Sequence, residues 1–331
     1  MFLRSFLAPT LGVALLAVAL GGCGGDNAPD RVKIGFLVKQ PEEIWFQKEW
    51  EFAQQAADRL GFDLIKIGAT DAEKVLTAIG NLGAQGAQGF IICTPDVRLG
   101  PAIMARARSY GMKVISVDDQ FVGPDGHFMD VPYVGISASD IGRKVGMALY
   151  DEFARRGWPL EETAVCVVTF EELHTSKERT DGAIAALVEV GFPADRIHKA
   201  GERTTDIEGS FHVGSAMLTR FPDVKRWLVC SMNDEGVIGA VRAMEGRGFN
   251  ADTVIGIGIG GSSCVVEFQK SSPTGFYATC LISPKRHGYD TAEWMYKWIT
   301  EGVEPPKDTR TEGIIVTRDD YDQVMREQGL L

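Results

Sequence analysis

The chain has 331 residues, a formal net charge of −11, and 45% hydrophobic and 24% charged residues. That length exceeds one average domain and suits two, and the hydrophobic share excludes a disordered chain. The negative charge excludes nucleic acid as a partner, because holding phosphates takes clustered Lys and Arg.

The N-terminus reads as a leader. Arg4 precedes the small, apolar run from Leu11 to Leu20, the pattern of an export signal rather than a membrane span. The run ends Leu20-Gly21-Gly22-Cys23, which resembles a bacterial lipobox. That resemblance implies removal of residues 1–22, lipidation of Cys23 and membrane contact through the lipid alone. Residues 23–30 then form a polar tether. The alternative is cleavage near Ala17-Val18-Ala19, releasing a soluble protein.

The mature part alternates strands and helices. The first strand, 32–38, runs into Lys39-Gln40-Pro41-Glu42-Glu43-Ile44-Trp45-Phe46. In the helix that follows, Phe46, Trp50, Ala53, Ala57 and Leu60 share one stripe and Gly61 ends it. After a strand at 63–68, Asp71 is placed to cap a helix carrying Val75, Leu76 and Ile79. Strands at 89–94, 113–118 and 133–137 follow, with a helix from about Leu99 to Tyr110 stopped by Gly111. A long helix from about Ser139 to Arg156 carries the chain into a second series of strands, at 164–169, 196–200, 226–232, 253–259, 275–282 and 313–317. Most are short apolar runs, as in parallel strands covered on both faces. The fold class is therefore α/β, with two domains of parallel strands flanked by helices and a cleft between them.

Unusual side chains gather where strands run out, which is where open α/β sheets bind ligands. The first domain offers Lys39, Glu43 and Trp45, then Cys93-Thr94-Pro95-Asp96 and Asp118-Asp119-Gln120-Phe121. The second offers Leu173-His174-Thr175 with Arg179, Met232-Asn233-Asp234, and Gly256-Ile257-Gly258-Ile259-Gly260-Gly261. Donors, acceptors and one indole face together suit a polyhydroxylated ring. Each piece has a structural alternative. Asp118-Asp119 could be a turn pair, Trp45-Phe46 a hydrophobic staple, Arg179 a solvated helix charge, and Asn233-Asp234 a cap.

Other chemistries find less support. Cys23, Cys93, Cys166, Cys230, Cys264 and Cys280 include no C-x-x-C pair, so no metal ribbon or redox motif is indicated. Most of them read as buried thiols. The glycines from Gly256 to Gly261 superficially suggest a dinucleotide loop, yet they lie late in the chain and no acidic strand end follows. Glu43 and Asp119 could pose as a hydrolase pair, but the five histidines form no spacing signature. No phosphate-binding loop for ATP is present.

From Val32 to the C-terminus the motifs resemble the L-arabinose-binding periplasmic proteins of ABC transporters. The resemblance is carried by Phe36 to Glu43 with Trp45-Phe46, by Ile92 to Asp96, Val117 to Phe121, Leu173 to Thr175, Met232 to Asp234, and Gly275-Phe276-Tyr277. It implies a type I periplasmic-binding architecture with three crossings between its lobes. The lobes would span 31–137 plus 284–311, and 138–283 plus 312–331, with a swapped helix at 284–302. It implies a monomeric, non-enzymatic receptor without cofactor or metal. Its ligand would be a monosaccharide, L-arabinose or else D-galactose or D-fucose, passed to permease subunits or shown to a chemoreceptor or sensor kinase. It implies hydrogen bonds to sugar from Lys39, Glu43, Asp119, Arg179 and Asn233, and stacking by Trp45 beside Phe46. Cys93, Asp118, Leu173, Thr175 and Met232 would line or support the pocket. Three positions depart from the family: Gly260 replaces a sugar-binding Asn, Ile282 a pocket Pro and Ile136 a pocket Met.

Overall fold

A computed structural model describes residues 1–2 and 31–331. Residues 3–30, with the rest of the leader, Cys23 and the tether, lie outside the described residues. The strands are β1 (Lys33–Val38), β2 (Asp63–Gly68), β3 (Gly89–Ile92), β4 (Lys113–Val117), β5 (Tyr133–Ile136), β6 (Thr163–Thr169), β7 (Ile197–Gly201), β8 (Arg226–Cys230), β9 (Val254–Gly260), β10 (Phe276–Ile282), β11 (Asp308–Thr311) and β12 (Gly313–Thr317). The helices are α1 (Ile44–Leu60), α2 (Ala72–Ala84), α3 (Gly100–Ser109), α4 (Ala138–Arg155), α5 (His174–Glu189), α6 (Ile207–Arg220), α7 (Asp234–Glu245), α8 (Cys264–Phe268), α9 (Thr291–Thr300) and α10 (Tyr321–Glu327).

Two six-stranded sheets result, ordered β11-β5-β4-β3-β1-β2 and β12-β10-β9-β8-β6-β7. The first is parallel throughout. In the second only β12 runs antiparallel, against β10. Both reverse strand order beside their first strand, and such switch points open a crevice at the carboxyl ends of the strands. The chain passes between the sheets three times: from β5 to α4, from β10 to the turn before α9, and from β11 to β12.

Each sheet is buried on both faces. Ile34, Phe36 and Val38 of β1 pack against Phe46, Ala53 and Ala57 of α1 and against Ala292 and Met295 of α9. Leu37, Phe90 and Ile92 point the other way, to Val75, Ile79, Leu82 and Ile103. Period-2 side chains feeding two helical layers explain why these strands read as unbroken apolar runs. The caps also follow the sequence: Asp71 accepts from Lys74 N, and Gly61 ends α1 at φ 79°.

The helix expected over 284–302 is present as a continuous helical stretch over 284–300, with a π-helical turn, Arg286–Asp290, set ahead of α9. The edge strand β11 escaped notice because Asp-Thr-Arg-Thr has no apolar run; its pairing with β5, from Asp308 opposite Tyr133 to Thr311 opposite Ile136, creates it. The glycines of β9 are packing positions, not a nucleotide loop. A Cβ at Gly258 would sit 2.4 Å from Asp234 Oδ1, and one at Gly256 would sit 2.7 Å from Val237.

Candidate functional site

The two carboxyl edges face each other across a cavity of about 370 Å³. From the first sheet come Lys39, Glu43, Trp45 and Phe46, then Asp118, Asp119 and Ile136. From the second come Leu173, Thr175, Arg179, Met232, Asn233, Gly260 and Ile282. Of the residues that the family resemblance places in or beside the pocket, Cys93 alone does not reach the lining. It is buried below the cavity, its Sγ 3.6 Å from Asp119 Oδ2. Phe46 touches the cavity but is chiefly a core residue.

The floor is a buried ion pair. Lys39 Nζ lies 2.5 Å from Asp119 Oδ2, with the side chains 17% and 5% exposed. Burial alone would lower the lysine pKa, but the Asp119 carboxylate, helped by Cys93 and Asp118, raises it well above the ordinary value. Lys39 therefore stays an ammonium. Ser116 Oγ donates to the Asp119 carbonyl at 2.7 Å and fixes the loop.

Asp118 is the one non-glycine among the described residues with positive φ, 61°. Such strain persists only where surrounding contacts over-determine it. Here Tyr133 Oη donates to the Asp118 carbonyl at 2.7 Å, Trp45 Nε1 to Oδ1 at 3.3 Å, and His287 Nδ1 lies 2.8 Å from the same oxygen. Burial pushes this carboxyl up, yet the His287 bond and charge hold it below its usual range. Trp45 sits at the junction of the sheets, packed against the core clusters of both.

On the opposite wall, Arg179 is fixed by backbone. Its Nε donates to Thr175 O at 3.0 Å and Nη1 to Met232 O at 2.6 Å. Its helix lies against α4 without an intervening side chain, since a Cβ at Gly142 would fall 1.9 Å from the Arg179 carbonyl. Burial pulls the guanidinium below its ordinary value while Asp119 and Asp118 pull it back; a group of such basicity stays charged. Asn233 does cap α7, accepting from Gly236 N at 2.8 Å, and its amide donates to Thr205 O at 2.9 Å. One amide hydrogen and one oxygen lone pair are left over. Glu43 precedes α1 without a capping bond. Burial, then repulsion from Glu235 across the cleft, raises its carboxyl. Gly260 has φ 117°, and nothing lies within 4 Å of where its Cβ would be; Ser262 lines the same corner.

The β7–α6 loop, with Thr205 and Asp206, also lines the cavity. Reading every strand end, 196–200 included, would have found it. Asp234, read from the sequence beside Asn233 as capping chemistry, has a different role. Its carboxylate accepts from Thr279 Oγ1 at 2.6 Å and from the N–H groups of Gly261, Ser263 and Cys264 at 3.1, 3.2 and 3.1 Å. It thereby holds the loop that carries Gly260. The five described cysteines are buried free thiols. His174 is a rim residue, its ring 6.5 Å from that of Phe128 across the cleft mouth.

Two Rossmann-like halves, three crossings and a shared polar cleft define a two-lobed solute-binding protein. The chain belongs to the periplasmic binding proteins and sugar binding domain of LacI family, which matches residues 31–320. It is 48% identical over 320 residues to the L-arabinose-binding periplasmic protein of Escherichia coli, covering 96% of this chain and 97% of that one. It is also 48% identical over 330 residues to the ABC transporter L-arabinose-binding periplasmic protein of Azospirillum brasilense, covering 99% and 97%. The fold is shared with the Caulobacter myo-inositol binding protein solved with myo-inositol, at a TM-score of 0.76 and 19% identity, over 91% of this chain and 97% of that one.

Proposed function

We propose that this protein is the periplasmic receptor of an ABC sugar importer and that its ligand is L-arabinose, with D-galactose or D-fucose as the nearest competitors. The observation that carries the reading is the cleft itself. It sets a buried Lys39–Asp119 pair and the Trp45 ring against Arg179 and Asn233 on the other sheet. Charged and amide groups replace water around hydroxyls, and the indole covers a C–H face. The 48% identity to two proteins named for L-arabinose binding supports the choice of sugar. In this reading Lys39, Glu43, Asp119, Arg179 and Asn233 bond the sugar. Cys93 and Asp118 support them from below, and Ile136 and Ile282 form an apolar side.

The lobes of the proposed receptor are 31–137 plus 284–311, and 138–283 plus 312–331. Sugar seated on one lobe draws the other over it by rotation about the crossings, because the closed form binds it better. The closed surface is what a permease would recognise. The receptor releases its sugar unchanged. Residues 1–22 act as the leader and Cys23 carries the lipid; Cys23→Ser should move the protein from the membrane to the soluble fraction.

Calorimetry with L-arabinose, D-galactose, D-fucose, D-xylose and D-ribose tests the assignment. Tightest binding of L-arabinose is expected, and no heat from any of the five would refute the sugar receptor.

A further inference from the structure

A buried cluster behind the cleft joins parts of the chain that the sugar-binding reading leaves unconnected. His287 is fully buried in the π-helical turn just after the second crossing. Its Nδ1 lies 2.8 Å from Asp118 Oδ1, and its Nε2 lies 2.9 Å from Thr311 Oγ1. Thr311 is the last residue of β11, one step before the third crossing, and its hydroxyl lies 3.1 Å from the Gly135 carbonyl. Gly135 belongs to the end of β5, immediately before the first crossing. One imidazole and one hydroxyl therefore tie the near ends of all three crossings at a single point.

The same cluster reaches the cleft. Trp45 donates to the Asp118 oxygen that faces His287, and its ring stands edge-on to the imidazole, centroids 5.2 Å apart at 77°. The turn is pressed onto α1 without room for a side chain: a Cβ at Gly288 would lie 2.2 Å from the Glu49 carbonyl. Glu49 completes the cluster, its Oε1 3.6 Å from His287 Nδ1. Single π-helical turns inside α-helices are uncommon and concentrate at functional sites. This one holds His287 and Gly288 as its buried residues.

We propose that His287 is the positioning residue of the hinge, linking Trp45 and Asp118 to the three crossings through Thr311 and so setting the balance between open and closed lobes. Neither His287 nor Thr311 lines the cavity. A hinge works through the few element-terminal residues that absorb the backbone rotation. Fixing their ends to the residue that holds Trp45 makes the ring position and the lobe angle one variable. The inference rests on the receptor reading for its ligand but not for its hinge.

The test compares wild type with His287→Asn, Thr311→Val, Thr311→Ser and the double variant His287→Asn/Thr311→Val. Asparagine keeps a donor toward Asp118 and withdraws from Thr311; valine keeps the volume of Thr311 and removes its hydroxyl. With L-arabinose as the probe, each single change should raise Kd about tenfold through faster release. Thr311→Ser should stay within about twofold of wild type, and the double variant should be no weaker than the weaker single one, as coupled residues require. Unchanged release in both single variants, or fully additive losses, overturns the proposal. If His287→Asn does not fold, the valine and serine pair decides the question alone. If wild type binds no L-arabinose, the receptor reading fails instead. Solution scattering of the sugar-free proteins then decides the hinge: a shifted radius of gyration in Thr311→Val supports it, and identical curves overturn it.

Discussion

Lys39 and Asp119, 80 residues apart in sequence, meet at 2.5 Å on the floor of the cleft, where their side chains are almost fully out of water. Each makes the other tolerable. An ion pair removed from solvent adds little net stability, but deleting one partner strands the other charge at a cost of about 3–5 kcal/mol. The pair is therefore better explained by what it presents to a ligand than by what it adds to the fold.

Lys39→Met should accordingly destabilise the protein by about 3 kcal/mol, because Asp119 is left without its counter-ion. It should also abolish L-arabinose binding. Adding Asp119→Leu should recover most of the lost stability and none of the binding. Urea unfolding and calorimetry on the single and double variants separate the two. A double variant that regains binding would remove the pair from the site.

Trp45 has two separable parts, a ring face toward the cavity and an Nε1–H toward Asp118. Trp45→Phe keeps a ring and loses the donor; Trp45→Ala loses both. Alanine should weaken L-arabinose binding by about 3 kcal/mol, more than a hundredfold, while phenylalanine gives an intermediate loss of about tenfold. Equal affinities for wild type and the alanine variant, both folded by circular dichroism, would contradict the stacking role.

How much of this site could be read from the chain alone follows from where the residues sit. Lys39, Asp119 and Asn233 stand just beyond apolar runs and Arg179 lies early in the helix that follows one, so the rule that ligands lie at strand ends reaches them without any tertiary information. His287 and Thr311 were beyond that rule. His287 is 169 residues from its partner Asp118 and sits in a turn whose π-helical geometry has no sequence signature. Thr311 belongs to a polar edge strand that exists only because β5 offers it a ladder. Asp234 looked like capping chemistry, and its neighbour Asn233 does cap α7. The carboxylate itself points to a loop 27 to 30 residues away. Local pattern thus found most of the polar groups facing the cleft but not Thr205 and Asp206, Ile136 and Ile282 came only with the family resemblance, and the groups behind the cleft depended on long-range pairing.

That hidden layer is testable at Asp234. An asparagine would turn an NH₂ toward the backbone donors or give up the Thr279 bond, leaving at least one buried group unpaired at about 1–3 kcal/mol. Asp234→Asn should lower stability by about that amount and weaken L-arabinose binding several-fold, because the loop from Gly260 to Ser262 loses its anchor. Amide exchange should quicken at Gly261, Ser263 and Cys264 and stay unchanged in β1 to β5. Unaltered exchange at those three amides would show that the carboxylate does not hold the loop.

Glu202, which follows β7, carries the clearest pH signature. Both carboxyl oxygens are buried without a hydrogen-bond partner. Burial, then repulsion from Asp206 and Glu235, pushes its pKa up to about 8. In the unfolded chain the same carboxyl titrates near its ordinary value of 4.5. Between those values the folded state holds the proton that the unfolded state has lost, so stability falls as pH rises toward about 8. Glu202→Gln removes that slope because the amide does not ionise. The variant should match wild type near pH 5 and exceed it by about 3.5 kcal/mol at pH 8, as read from urea unfolding at pH 5, 6.5 and 8. Glu202 does not line the cavity, so L-arabinose affinity at pH 6 should be unchanged. A stability difference that stays constant with pH, or a glutamine variant weaker than wild type at pH 8, would show that Glu202 is already ionised in the folded protein.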